Sequence, residues 1–359
     1  MEKQVVPFEI VLPELKEDIE EYMAAYPEIL RELVEAAKYD SSDDAAEWFQ
    51  KCLIYNNPGS KKHMFGVVAV VMYKSIIPKD QLTPEKLKLI HYLGWCVELF
   101  HSALYITDDV VDQSTTRRGQ LCWYKLDGPN YTVTNDILMM ENAIYKLLRK
   151  HFSHMDFYLP ILELFHDLSF QAVRGQLMDY LSSQKSVSTF NMKIYQSTIM
   201  DKAGCHILWL PSALALHLAG VKDPKVFNEC QFILQDMSCF YQEQNDYLDV
   251  FVHADITGKI GSDIESNKCS WLAVTCMQQA NPEQKAIMVE CYGQKDPKKI
   301  ARVKQLYEEM NLPSVYQKFE REKFKTFQKY IEQTTNGVPK EALIKILKFT
   351  MKDDKVNKL

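Results

Sequence analysis

Hydrophobic residues recur along most of this chain at the three- to four-residue spacing of amphipathic helices. This spacing predicts helices at about 14–38, 64–77, 136–152, 158–183, 189–219, 224–250, 266–279 and 315–350. No run of alternating residues indicates a strand, and no internal repeat or low-complexity linker interrupts the pattern. The chain is therefore expected to be all-α and to form one domain around a helix-lined cavity.

One further predicted helix has clear boundary signals. Pro78 ends the helix before it, and Thr83 and Pro84 are well suited to its N-cap and first helical position. The apolar positions of this helix are Leu89, Leu93, Val97, Phe100 and Leu104. They lead directly into an acidic stretch that begins at Asp108.

The acidic stretch places carboxylates at Asp108, Asp109 and Asp112. On a helix, Asp108 and Asp112 lie one turn apart on the same face, where their like charges favour a bound cation. Hard oxygen ligands suit Mg²⁺, which leaves coordination sites for substrate phosphates. Arg117 and Arg118 follow closely, and guanidinium groups make forked contacts with phosphates. The stretch predicts a metal–diphosphate site; a solvated, charged helix end is the alternative.

A second acidic stretch repeats the spacing with Asn245, Asp246 and Asp249. Lys259 and Lys268 follow it, within Thr-Gly-Lys-Ile-Gly-Ser-Asp-Ile-Glu-Ser-Asn-Lys-Cys-Ser-Trp. Two such stretches that face each other across a helical bundle can hold several Mg²⁺ ions around one diphosphate.

Composition excludes several other classes of protein. The chain has 359 residues and a net charge of -6, which argues against nucleic acid as a partner. Its nine cysteines show no metal-ligand spacing, which favours reduced thiols. The first residues resemble no signal or transit peptide, so a cytoplasmic location is expected. Residues 203–221 lack Asp, Glu, Lys and Arg, but His206, Pro211, Ser212 and His217 favour a buried core or dimer helix over a membrane span.

The order of these motifs resembles the trans-isoprenyl diphosphate synthase family, and within it the farnesyl diphosphate synthases. The shared motifs are DDxxD-(x)₄-RRGQxCWY from residue 108, GQxxD at 175–179, a lysine-bearing helix around 202, and TGKIGxDIxxNKCSWL from 257. The resemblance covers nearly the whole chain. It implies one domain over residues 1–359, a helical bundle of the isoprenoid synthase (class I terpenoid synthase) type, and a homodimer.

The resemblance also implies roles for individual residues. About three Mg²⁺ ions would be held by Asp108, Asp109, Asp112, Asn245, Asp246 and Asp249. The prenyl diphosphate substrates would contact Lys61, His101, Ala103, Leu104, Arg117, Arg118, Gln176, Lys202, Gln242, Lys259 and Lys268. Asp108, Asp112, Lys202 and Asp246 are expected to act directly in catalysis.

Several departures from the family's pattern fall near the second, homoallylic substrate. Met64 replaces an arginine of the isopentenyl diphosphate site, and a thioether donates no hydrogen bond. A lost charge-assisted contact weakens binding by roughly 1.5–3 kcal/mol, unless Lys62 or His63 substitutes. Asn245 replaces an aspartate, as is common in terpene cyclases, although an amide oxygen also binds Mg²⁺.

Two further departures concern the depth of the pocket and the end of the chain. Ala103 and Leu104 stand where farnesyl diphosphate synthases commonly have aromatic residues, so the pocket would hold a C15 chain. Alternatively, Ala103 is ordinary core packing. Aspartates also interrupt the lysines of residues 350–359, where the family often has a basic run.

These departures predict a Mg²⁺-dependent terpene synthase. It would ionise a preformed prenyl diphosphate, farnesyl diphosphate in particular, and release diphosphate and a sesquiterpene hydrocarbon or alcohol. The alternative is a prenyltransferase that condenses isopentenyl diphosphate with an allylic diphosphate, which Lys61, His101 and Arg118 favour. A third possibility is an inactive partner subunit. The intact first motif argues against it, because such a subunit would not need three metal-binding carboxylates.

Overall fold

The helices of the computed structural model follow the hydrophobic pattern over residues 15–57, 65–126 and 131–350, which are the residues that the structure describes. The first half of the chain forms α1 (Lys16–Ala24), α2 (Tyr26–Ala36), α3 (Asp44–Asn56), α4 (Phe65–Ile76), α5 (Pro84–Val111) and α6 (Val133–Phe152). The second half forms α7 (Tyr158–Ser183), α8 (Met192–Ile199), α9 (Trp209–Leu218), α10 (Pro224–Phe251), α11 (Ala254–Thr257), α12 (Trp271–Gln279), α13 (Pro282–Cys291), α14 (Pro297–Glu309), α15 (Leu312–Gln333) and α16 (Lys340–Thr350). The prediction of an all-α fold is confirmed.

Helix α5 is the central element of the fold. Leu93, Trp95, Val97 and Leu99 point to different sides of this helix, and each is fully buried. The helix packs against α4, α6 and α9, as expected of a helix that is apolar all round. Its predicted start is confirmed, because the Thr83 side chain accepts a hydrogen bond from the Lys86 amide. The C-terminal end of α5 is thus held rigidly where it carries the first acidic stretch.

The only strands in the described residues form a short hairpin directly after α5. Strands β1 (Thr116–Arg117) and β2 (Gln120–Leu121) are antiparallel, and Arg117 pairs with Gln120. The turn between them is tight, since Arg118 and Gly119 both have positive φ. The two arginines therefore leave the backbone in different directions.

Three predicted helices are interrupted in the structure. The pattern at 14–38 divides at Ala25, where α1 ends and α2 begins with Pro27 in its first turn. The pattern at 189–219 is broken by a π-helical turn, Met200–Gly204, followed by a non-helical link to α9. The pattern at 315–350 is broken between α15 and α16, where Gly337 has a φ of 97°. Helices α3, α11, α13 and α14 were not predicted.

The uncharged stretch 203–221 lies inside the protein. Leu210, Ala213, Leu214 and Leu216 of α9 are all fully buried, which confirms the expected core position. In the part of the chain that the structure describes, no helix combines the length and apolarity needed to cross a bilayer.

Candidate active site

The two carboxylates at the end of α5 share one face and contact two buried lysines. The Nζ atom of Lys202 lies 3.0 Å from Asp108 Oδ1, and the Nζ atom of Lys268 lies 2.7 Å from Asp112 Oδ1. Lys202 comes from the π-helical turn and Lys268 from the loop before α12. The predicted acidic pair is therefore brought together with two of the predicted substrate-binding lysines.

Asp179 of α7 joins the two lysines. Its Oδ2 atom lies 2.6 Å from Lys202 Nζ and 2.5 Å from Lys268 Nζ. Burial alone would raise the pKa of the Asp179 carboxyl, but the two ammonium groups lower it to about 2. We call Asp108, Asp112, Asp179, Lys202 and Lys268 the charge cluster; its negative and positive groups alternate in space.

Arg117 binds the first acidic stretch from the hairpin. Its Nη2 atom lies 2.8 Å from Asp108 Oδ2 and 2.7 Å from Asp109 Oδ1, to which Nε also donates. Asp109 is only 3% exposed, and its carboxylate faces Arg117 and not the charge cluster. The geometry makes Asp109 a residue that orients Arg117, and its role as a metal ligand stays a prediction.

Arg118 points the other way, towards the C-terminal end of α3. It donates a hydrogen bond to the carbonyl oxygen of Asn56, and its guanidinium lies over the ring of Tyr105. Asn56 is close in sequence to residues 58–64, which include Lys61 and Met64. The roles predicted for Lys61 and Met64 therefore lie outside the described residues, as does the acidic end of the chain at 351–359.

Asp246 in the second acidic stretch is bound within the protein. It is 5% exposed and accepts hydrogen bonds from Tyr195 Oη at 2.6 Å, the Trp271 amide at 2.8 Å and Gln242 Nε2 at 2.9 Å. Burial raises the pKa of its carboxyl to about 6. Asp246 thus joins α10 to Tyr195 of α8 and to the start of α12, while Gln242 bonds to Asp246 within α10. Their predicted substrate and metal contacts stay predictions.

A carboxylate that the sequence reasoning missed faces Asp249. The amides of Ser262 and Asp263 donate to Asp249, and burial together with Asp249 and Asp246 raises the pKa of Asp263 well above its usual value. The effect of Asp246 and Asp249 on Asp263 is that of neighbouring like charges. The sequence contained a signal for this carboxylate, because Asp263 lies four residues after Lys259 in the motif that was used to identify Lys259. Asn245 is half-buried and hydrogen-bonded to Tyr241.

The donors of the site suit Mg²⁺, since they are carboxylate and amide oxygens. Among the described residues, no three carboxylate, imidazole or thiol groups converge as a formed metal site. In the charge cluster, the carboxylates do not converge because Lys202 and Lys268 lie between them. Displacing the ammonium groups would expose oxygen ligands from two helices.

Comparison with known proteins identifies the family. A family model described as Polyprenyl synthetase matches residues 46–310. The chain belongs to this family. It is 35% identical over 329 residues to farnesyl pyrophosphate synthase of Gallus gallus, covering 90% of this chain and 89% of that protein. It is 38% identical over 299 residues to that of Bos taurus, covering 82% and 84%.

A solved structure agrees with these relatives. The farnesyl diphosphate synthase of T. brucei, complexed with risedronate, superposes with a TM-score of 0.88 at 25% identity, covering 94% of this chain and 99% of that one. The fold is that of the isoprenoid synthases, and the chain is a prenyltransferase of the trans-isoprenyl diphosphate synthase type. The expectation of a terpene synthase is therefore wrong, because the matching relatives and neighbours are farnesyl diphosphate synthases.

The other residues predicted to bind substrate differ in burial and in the groups around them. Gln176 is buried one turn before Asp179, and its Nε2 atom has no hydrogen-bond partner in the described residues. Lys259 is close enough to help lower the pKa of Asp108. Ala103 is 5% exposed within the core, whereas Leu104 is partly buried. The proposed place of Ala103 in the floor of the pocket stays a prediction.

The hairpin with the two arginines is anchored at two places. The Gly119 amide donates to the Gly258 carbonyl at 2.8 Å, which joins this loop to the loop that carries Lys259. Further along, the indole nitrogens of Trp48 and Trp123 each donate to one oxygen of Asp136, at 2.8 Å. Asp136 is 1% exposed, so the segment after the arginines is fixed to α3 and α6.

Lys202 depends on a close contact with Gly175. A Cβ atom at residue 175 would lie 2.2 Å from the Lys202 backbone nitrogen, so Gly175→Ala must separate α7 from the π-helical turn. We expect kcat to fall roughly 10- to 100-fold, because displacing a positioned group by about 1 Å has effects of this size. Steady-state assays with a prenyl diphosphate pair measure this.

The control for Gly175→Ala is Gly220→Ala. Gly220 has a φ of 75° and no atom within 4 Å of the added Cβ, so this change strains the backbone without reaching Lys202. It should lower the melting temperature and leave kcat unchanged. Equal loss of kcat in the two variants would show that Gly175 acts only through stability.

Proposed function

We propose that the protein condenses isopentenyl diphosphate with an allylic diphosphate, as farnesyl diphosphate synthases do. The observation that carries this proposal is the charge cluster, in which Lys202 and Lys268 are held between carboxylates of α5 and α7. Arg117 and Arg118 extend it with two guanidinium groups, both over the ring of Tyr105. Arg117 is hydrogen-bonded to Asp108, and Arg118 to the carbonyl oxygen of Asn56. Two guanidinium groups with different partners fit two diphosphate substrates.

Magnesium binding fits the same residues. Asp108 and Asp112 would hold Mg²⁺ on the α5 side, and Asn245, Asp249 and Asp263 would hold it on the α10 side. Bound Mg²⁺ would act as a Lewis acid that neutralises charge on the leaving diphosphate. With Asp108 and Asp112 holding Mg²⁺, Lys202 and Lys268 would each lose one ion-pair partner and would keep Asp179. Their ammonium groups are then free to bind phosphate oxygens.

The condensation follows from this arrangement of charges. Lys202, Lys268 and Arg117 stabilise the negative charge that develops on diphosphate as the allylic C–O bond breaks. The double bond of isopentenyl diphosphate then attacks the allylic carbon. A proton passes from the neighbouring carbon to an oxygen of the released diphosphate, which restores a double bond. Arg118, which is hydrogen-bonded to the carbonyl oxygen of Asn56 on α3, would hold the diphosphate of this second substrate.

A direct assay tests the proposal. Purified protein is incubated with Mg²⁺, geranyl diphosphate and isopentenyl diphosphate, and the prenyl diphosphates are separated by liquid chromatography and mass spectrometry. We expect farnesyl diphosphate, and no product when the metal is chelated. If isopentenyl diphosphate is not consumed with any allylic diphosphate from C5 to C15, the proposal is wrong.

A second copy of the chain is the partner that we propose. Helix α7 exposes an apolar stripe at the spacing of one helix face. Its members, each at least 42% exposed, are Phe170, Val173, Leu177, Tyr180 and Leu181. Apolar patches of this kind are typical of protein interfaces, and the family resemblance implies a homodimer.

We also propose that residues 1–359 form one isoprenoid synthase domain.

Leu177→Asp tests the dimer. A charge in the middle of the stripe should shift the protein from dimer to monomer at micromolar concentration, because an unpaired carboxylate resists burial in an interface. Analytical ultracentrifugation measures the mass of both proteins. The control is Glu308→Gln, an exposed change on α14. A wild-type protein that sediments as a monomer would contradict the proposed dimer.

A cytoplasmic location is also proposed. All nine cysteines are buried as free thiols. Buried, unpaired thiols are typical of proteins that work in a reducing compartment. Fractionation of cells that express the tagged protein tests this.

A further inference from the structure

A pair of buried histidines lies beside the charge cluster. His101 of α5 and His206, which follows the π-helical turn, are 1% and 4% exposed. The Nε2 atom of His101 lies 3.0 Å from Nδ1 of His206, and Nε2 of His206 lies 2.8 Å from the carbonyl oxygen of Lys202. Three groups therefore form one chain of two hydrogen bonds.

The carbonyl at one end determines the protonation of the whole chain. A carbonyl oxygen only accepts, so His206 carries a proton on Nε2 and, when neutral, an acceptor on Nδ1. His101 must then donate from its own Nε2. This leaves Nδ1 of neutral His101 without a proton, and that nitrogen is buried with no hydrogen-bond partner among the described residues.

His101 belongs to the face of α5 that leads to the metal-binding carboxylates. His101, Tyr105, Asp108 and Asp112 follow at spacings of four, three and four residues, which places His101 about 10 Å along the helix from Asp108. Of the two arginines over the ring of Tyr105, Arg118 is the one that acts on the pKa of His101.

The groups around His101 keep the free pair neutral. Burial, His206 and Arg118 lower the pKa of His101 well below its usual value, and burial lowers the pKa of His206 to about 4. Phe65 of α4 contributes only an aromatic ring, and burial raises the pKa values of Tyr105 and Tyr241 so that both stay neutral. Glu98, one turn away on α5, accepts from the Gly66 amide.

A neutral His101 conflicts with a diphosphate at this place, because its free nitrogen and a phosphate oxygen are both acceptors. We propose that the His101–His206 pair takes up one proton from solvent when the homoallylic diphosphate binds. The new N–H at Nδ1 of His101 donates to a phosphate oxygen, while Nε2 keeps its bond to His206. His206 is a positioning residue in this scheme. The inference rests on the proposed condensation, which supplies this substrate.

Titration calorimetry counts the proton. Isopentenyl diphosphate is injected into wild-type protein, His101→Gln and His206→Phe at pH 7.5, in two buffers of different ionisation enthalpy and without allylic substrate. A glutamine amide donates without protonation, and in His206→Phe the neutral His101 is free to carry its proton on Nδ1. We expect wild type to take up about one proton more than either variant. Ionisation of the ligand itself is common to all three and cancels.

Kinetics give a second measure of the same proton. Relative to His101→Gln, the wild-type KM for isopentenyl diphosphate should rise about tenfold per pH unit above pH 7, with no matching change in the pH dependence of kcat. Equal proton counts and parallel KM profiles would overturn the inference while the condensation still stands. A wild-type protein that neither binds nor consumes isopentenyl diphosphate would overturn both.

NMR of the ring nitrogens in wild-type protein labelled with ¹⁵N-histidine tests the inference without any substitution. In the free protein, His101 and His206 should both give the signals of the neutral Nε2–H tautomer. Adding isopentenyl diphosphate should convert one of them to imidazolium. If both remain neutral in the complex, the inference is wrong.

Discussion

Replacing Asp108 with asparagine should lower kcat about 10³-fold. The change removes a charge that faces Lys202 and Arg117 and that is proposed to hold Mg²⁺. Losing one preorganised electrostatic group at a reacting bond has effects of roughly 10²–10³-fold, and loss of a metal ligand adds to this. Steady-state incorporation of isopentenyl diphosphate at several Mg²⁺ concentrations measures it.

The fold should survive Asp108→Asn, because Lys202 keeps Asp179 as a partner and Arg117 keeps Asp109. The matched control is Asp156→Asn, which removes an equally short ion pair, 2.7 Å from Lys222, at an exposed site. The control should retain wild-type kcat. An Asp108→Asn protein with more than a tenth of wild-type activity would argue against a catalytic role for the cluster.

Glu243→Gln should stabilise the protein, by roughly 3–5 kcal/mol at pH 8. Glu243 is 3% exposed, and its Oε2 atom has no hydrogen-bond partner in the described residues. Burial raises the pKa of its carboxyl to about 8. The folded state therefore holds a proton that the unfolded state releases, so wild-type stability falls as pH rises from about 4.5 to 8. Glutamine removes this dependence.

Urea denaturation at pH 5 and pH 8 measures the prediction. The free energy of unfolding of the two proteins should be nearly equal at pH 5 and clearly separated at pH 8. Glu163→Gln, which changes an exposed glutamate, should leave the free energy of unfolding unchanged at both pH values. A difference between wild type and Glu243→Gln that does not grow with pH would mean that Glu243 is ionised in the folded protein.

The position of the first acidic motif could be predicted from sequence because its helix is long, strongly apolar and has a clear start after Pro78 and Thr83. The breaks within the interrupted helices could not be predicted. Hydrophobic spacing continues through the π-helical turn at 200–204, and only tertiary packing against Gly175 shows the break. The turn matters for function, since it presents both Lys202 and the carbonyl that binds His206.

The charges of the site were predicted better than their pairing. Spacing placed Asp108 and Asp112 on one face, but it could not show that Asp109 turns towards Arg117 or that Asp246 is bound by Tyr195 and Trp271. Those partners come from distant parts of the chain. Residues at the second position of each motif are thus bound within the protein, which no spacing rule reveals.

The functional error came from reading single substitutions as changes of reaction class. Asn245 retains an oxygen that suits Mg²⁺, and Ala103 is packed within the core. Neither change removes the charge cluster on which we propose that prenyl transfer depends. Similarity to farnesyl diphosphate synthases over most of the chain outweighs them.

The hydrogen bonds from the indoles of Trp48 and Trp123 to the carboxylate of Asp136 affect the expected affinity for substrate. Fixing one residue's backbone takes about 1–2 kcal/mol of conformational entropy. Because the segment after Arg117 and Arg118 is already immobilised at this anchor, that entropy is lost during folding and is not subtracted from the binding free energy. In the proposed function, the arginines would therefore meet an incoming diphosphate in a segment that is already ordered.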